Sequence, residues 1–139
     1  MEELSHLRQQ GMRLLAALAC SVAALIIGAS LWLGAPAYAV SAALLVLLPV
    51  WIALKGQTAL HARLALGVTF PLLAALLLAL ASGTGWLLDL HMVFFAFLAV
   101  LAIMADWRVI LAATLTTALH HLLATLRTII GTARRLGSM

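Results

Sequence analysis

Charge is what this sequence lacks most. Only 9% of its 139 residues are charged, and none of these falls within 14–54 or 64–88. A soluble domain carries roughly a quarter of its residues as charges, so gaps of this length exclude a water-solvated fold. Cysteine is nearly absent. Cys20 alone excludes an internal disulfide or a multi-cysteine metal site, and its place in the first apolar segment predicts a small core residue. No phosphate-binding glycine loop, serine elbow, HExxH motif or pair of carboxylates in one apolar segment occurs. The sequence therefore offers no hydrolytic or transfer active site, and the expectation is that the protein is not an enzyme. No basic stripe interleaved with aromatics is present either, which speaks against a nucleic-acid partner.

What is there is apolar: 66% of the residues are hydrophobic. About 20 apolar residues suffice to cross the hydrocarbon core of a bilayer. Five such segments can be drawn, 12–33, 38–54, 59–81, 87–104 and 107–130. They predict an all-α, polytopic transmembrane helix bundle of four or five spanning helices, its alanines and glycines allowing close van der Waals packing. The expected organisation is an amphipathic cytoplasmic segment at 1–13, the bundle at 14–130 and a basic tail at 131–139. The first segment reads as an uncleaved anchor, because no small-residue cleavage site ends it. Pro49 and Pro71 lie inside segments and are expected to bend helices rather than end them.

Basic residues are retained on the cytoplasmic side of a bacterial inner membrane. An N-terminus inside puts Arg8, Arg13, Lys55, Arg63 and Arg108 on that side, with Asp89 and the SGTGW turn outside. A fully crossing fifth segment then carries Arg127, Arg134 and Arg135 outside, against the same rule. Either a sixth span returns the chain, or the tail lies along a surface or another protein; the sequence leaves both open.

Three of five histidines stand in greasy surroundings. Asp106, Trp107 and Arg108 mark a tight turn, with Asp106 suited to cap the helix that follows. His91 and His121 are each fifteen residues from Asp106, and His120 is fourteen. Two antiparallel helices folded there bring the three imidazoles to one depth, roughly 20 Å from the turn. Adjacent helical residues differ by about 100° in direction, so only one of His120 and His121 can face His91. Three readings follow: hydrogen-bonded helix glue with Thr114, Thr116, Thr117 or Thr125 as partners; a metal or haem site with Asp89 as a nearby carboxylate; or a quinone or proton site. His61, beside Arg63, is interfacial, or one ligand of a second, inner site for which His6 is the available partner. Phe94, Phe95 and Phe97 suit bundle packing or the wall of a porphyrin. Trp32, Trp51, Trp86 and Trp107 fall near segment ends, as interfacial anchors do.

The stretch GTGWLLDLHMVFFAFLAVLAIMADWRVILAATLTTALHHLL resembles the membrane-embedded N-terminal sensor region of proteobacterial methyl-accepting chemotaxis proteins and diguanylate cyclases. Gly85, Asp89, His91, Met92, Phe94, Phe95, Asp106, Trp107, Arg108, His120 and His121 carry the likeness, with Pro49 in keeping. The resemblance implies a polytopic sensor module whose histidines bind haem or another metal and report redox, oxygen or metal. Members of that group usually continue through a further span into a signalling domain that this sequence does not include, so a piece of a longer protein, a free-standing relative or an accessory subunit is each compatible with the resemblance. The expectation is a sensor-like domain with His91 and His120 or His121 as cofactor ligands, haem b first and copper second. The alternative is a small structural or assembly subunit whose histidines touch pigment, quinone or neighbouring helices. The expected surroundings are the lipid bilayer and either further copies of the chain or a larger membrane complex.

Overall fold

The computed structural model describes residues 2–136, and among the described residues every regular element is helical. The order is α1 (Glu2–Trp32), α2 (Pro36–Leu54), α3 (Leu60–Leu80), α4 (Leu87–His91), α5 (Val93–Leu101), a 3-10 turn (Ala102–Met104) and α6 (Trp107–Leu136). Four of these, α1, α2, α3 and α6, are long and apolar enough to cross a membrane. Turns fall where the backbone needs freedom that only glycine has cheaply: Gly34 and Gly56 adopt φ of +68° and +67°. Pro36 opens α2, where its missing N–H costs nothing.

Three boundaries depart from expectation. The proposed amphipathic segment 1–13 is not separate; from Glu2 onward it is the first third of α1, because no glycine turn or proline interrupts it. The last helix does not stop near 130 but runs to Leu136, and residues 137–139 of the expected tail, like Met1, lie outside the described residues. The fourth segment is broken at Met92, where the N–H of Met92 reaches the carbonyl of Asp89 in a tighter, 3-10-like bond. Pro49 and Pro71 are buried within α2 and α3, which run on through both.

α1 packs chiefly against α2, and α3 chiefly against α6, with α4 and α5 laid along α3. On α1 the buried residues Leu15, Ala19, Ala23, Ile26 and Ser30 recur every three or four positions, one stripe of a 3.6-residue helix. Cys20 falls one position off that stripe and is exposed rather than in the core. The centre is filled by Leu66, Phe70, Leu73, Leu101, Met104 and Val109. Phe70 meets Phe97 edge to face, with centroids 5.0 Å apart, an arrangement worth about 1 kcal/mol beyond its burial.

Contacts assign the two ends of the bundle. At one end Arg63 pairs with Asp106, Gly11 lies against Met104, and Gln9 lies beside Gly56. A turn further on, Gly67 abuts Val109, and near the other end Ala75 and Leu78 share a cleft with His120 and Leu123. α3 and α6 thus run parallel, and α4, α5 and the 3-10 turn descend between their ends. Trp51 and Trp107 mark one end of the bundle and Trp32 and Trp86 the other, all four exposed, as two interfacial belts require. Lys55 Nζ sits 3.9 Å from the Trp51 ring centroid, a cation on an aromatic face.

Candidate functional site

The turn at Ala105 and Asp106 sets the site's register. Ala105 takes the left-handed conformation (φ 46°, ψ 42°) that reverses the chain, and Oδ1 of Asp106 accepts the N–H of Arg108 at 3.0 Å, capping α6. From that fold the two arms climb in step. Nε2 of His91, the last residue of α4, meets Nε2 of His121 on α6 at 3.0 Å. The rings stand nearly perpendicular, at 85° with centroids 4.9 Å apart.

The hydrogens of this pair follow from its partners. Nδ1 of His121 lies 2.7 Å from the carbonyl oxygen of Thr117. A carbonyl only accepts, so Nδ1 carries the hydrogen and donates it. With both rings neutral, Nε2 of His121 is then the lone-pair nitrogen, and the Nε2–H of His91 donates to it. A backbone carbonyl that fixes one ring nitrogen and leaves the other as an outward lone pair is the arrangement common to metal-binding histidines. The threonine hydroxyls do not take part. Those of Thr114, Thr116, Thr117 and Thr125 each donate to the carbonyl four residues earlier in α6, so it is a threonine carbonyl that holds the histidine.

His120 is turned away, as the 100° step demands. Its ring stacks on Phe94 at 5.6 Å and 29° and lines the α3–α6 cleft. Phe94 is buried and also packs on His91 and His121 at 5.7 and 5.3 Å, so one phenyl ring touches all three imidazoles, while the His120 ring meets that of His121 edge-on at 5.6 Å. Asp89 is exposed, two residues and about 200° round the helix from His91, and is no partner of the pair. Among the described residues no group of three or more histidine, cysteine, aspartate or glutamate side chains is arranged to hold a metal. His61 and His6 are both exposed and lie toward the opposite end of the bundle. Phe95 is exposed and Phe97 is core packing.

Ligand geometry discriminates between the expected cofactors. Metal–imidazole bonds are about 2.0 Å, so two histidines on opposite faces of a haem iron hold their nitrogens about 4 Å apart with a porphyrin between them. Here the nitrogens are 3.0 Å apart, and Phe94 fills the adjoining space. The separation matches two neighbouring positions on a single small ion, with an angle near 90° at the metal. The pair does not fit the axial pair of haem b.

The sequence reading missed the ion pair between Arg63 Nη1 and Asp106 Oδ2, 2.7 Å apart with both side chains about nine-tenths buried. The available signal was that both residues were placed at the same membrane face. Fold and site together define an all-α helix bundle with four helices able to cross a membrane and a histidine pair joining α4 to α6. No protein-family model, curated protein or solved structure matches the chain.

Proposed function

We propose that the chain is an integral-membrane, sensor-like domain whose His91–His121 pair binds a transition-metal ion, copper by preference, and reports metal or redox state. The observation behind this reading is the pair itself: two imidazole nitrogens 3.0 Å apart on different helices, one with its tautomer set by the Thr117 carbonyl. Imidazole suits copper well, and copper(II) heads the affinity order for nitrogen sites among divalent first-row ions. An ion held there would take the place of the shared hydrogen, which His91 would then carry on Nδ1, so loading would tie α4 to α6 through bonds stronger than a single N–H···N contact. The sensor assignment draws on the resemblance of residues 85–123 to chemotaxis-receptor and diguanylate-cyclase membrane regions. The bacterial inner membrane, with the N-terminus cytoplasmic, is supported by the gathering of Arg8, Arg13, Lys55, Arg63 and Arg108 toward one end.

The test is metal analysis and an ultraviolet-visible spectrum of the detergent-purified protein after copper loading and desalting, before and after dithionite. About one copper per chain is expected, lost on His91→Ala and on His121→Ala and kept on His120→Ala. A Soret band would mean that the helices part to admit haem. Indifference of copper content to all three substitutions sinks the reading and leaves the histidines as helix glue.

A second reading, a small structural or assembly subunit, draws on α6. Beyond His121 its residues are exposed through Arg135, with Leu122, Leu126 and Ile129 among them, a surface that a partner helix in a larger complex would cover. A chain of that kind purifies stably only with its partners.

A further inference from the structure

We infer that the cleft between α3 and α6 is a binding site for a membrane phospholipid with an anionic head group, its phosphate on Arg127 and an ester carbonyl on His120. The cleft is about 440 Å³, within the range of small-molecule sites. Its polar residues, His120, Arg127 and Thr128, are spaced seven and eight apart on α6 and share one face. Ala75 and Leu78 of α3 and Leu123 of α6 form the apolar wall. The inference stands apart from the metal reading, because His120 takes no part in the hydrogen bond between His91 and His121 and lines the cleft instead.

The chemistry of the cleft is that of a donor set awaiting acceptors. Arg127 is exposed and makes no hydrogen bond or ion pair among the described residues. Its fork of N–H groups matches a phosphate in two-point contact. The hydroxyl of Thr128 is spent on the carbonyl of Ala124, so arginine supplies the charge and His120, in its neutral form, one further N–H. Depth selects a lipid over a soluble anion. Arg127 stands twenty residues along α6 from Trp107, about 30 Å and one hydrocarbon thickness away, at head-group level. His120 lies about 10 Å deeper along the axis, and the backward lean of helical side chains brings the guanidinium toward it. A phospholipid has the same order: phosphate outermost, ester carbonyls next, acyl chains deepest. The larger cleft of about 620 Å³ beside Trp51 and Cys20 is almost wholly apolar and offers a head group nothing.

The full chain, purified in detergent and incubated with equal amounts of phosphatidylglycerol and phosphatidylcholine, is examined by native mass spectrometry. Retained phosphatidylglycerol should exceed phosphatidylcholine severalfold. The preference should vanish in Arg127→Gln and persist in Arg108→Gln, which removes the same charge at the other end, while His120→Ala lowers total retention. Undiminished preference in Arg127→Gln, or an equal fall in Arg108→Gln, overturns the site. Complete displacement of the lipid by millimolar inorganic phosphate overturns it in favour of a soluble phosphate ligand. Arg127 is exposed, so its loss leaves the fold intact, and unchanged helicity of the variant confirms this.

Discussion

Asp106 uses both carboxylate oxygens: Oδ1 caps α6 through the N–H of Arg108, and Oδ2 takes Arg63 from α3. The Nε of Arg63 is buried without a partner, so the guanidinium depends on that carboxylate. Removing one member of a buried pair strands the other, at about 3–5 kcal/mol, and losing the cap adds about 1 kcal/mol. Asp106→Ala should therefore lower the thermal midpoint in detergent more than any exposed substitution does. The double variant Arg63→Met with Asp106→Asn should recover most of the loss, because no charge is stranded and asparagine still caps. A double variant as unstable as Asp106→Ala would show that the pair itself stabilises the turn. At this scale the sequence was half legible. Counting from Asp106 brought His91 level with His121, since equal rise along two helices is simple geometry. The Thr117 carbonyl was hidden, because the threonine hydroxyls that invite attention are satisfied within α6.

Elements meet where side chains are smallest. A Cβ on Gly67 would lie 3.0 Å from both the carbonyl oxygen and Cγ1 of Val109. The side-chain atom can turn aside; the backbone oxygen cannot. Gly67→Ala should therefore cost about 1–3 kcal/mol of overpacking, outweighing the roughly 1 kcal/mol that alanine gains in helix propensity. Gly67→Leu should be worse and should also loosen the lipid cleft higher on the same interface. Thermal unfolding of both variants decides the matter, and a midpoint raised by Gly67→Ala would mean that α3 and α6 are not in close contact. Five apolar segments were legible because uncharged length is an unambiguous signal. The break at Met92 was not, since VFFAFLAVL continues the run without glycine or proline and the break is a single tightened turn, the Met92 N–H on the carbonyl of Asp89. The extent of α1 was missed for the converse reason, that charged residues at 1–13 look like a separate segment while their backbone simply continues the helix.

For the whole molecule, the open matter was the far side of the last helix, because the basic tail and the count of crossings pulled in opposite directions. The paired contacts of α3 with α6 resolve the direction of travel: both helices begin beside the Arg63–Asp106 pair and rise together to the His120 cleft. Arg63 is level with Asp106, which puts Leu80, the end of α3, level with about residue 123 of α6, and α6 runs on to Leu136, roughly 20 Å further. Thr132 must then share a side with Thr84 in the turn before α4, opposite Gln57 in the turn after α2. Three basic residues stand against five in this arrangement, so the balance of charge still favours the end bearing Lys55 as the cytoplasmic one. Single cysteines at these positions in a Cys20→Ser background test it with a membrane-impermeant maleimide on intact cells. Labelling is expected at Thr84→Cys and Thr132→Cys, and at Gln57→Cys only after the membrane is opened. Labelling of Thr132→Cys together with Gln57→Cys would mean that α6 turns back, and would remove Arg127 from the depth at which a lipid phosphate can reach it.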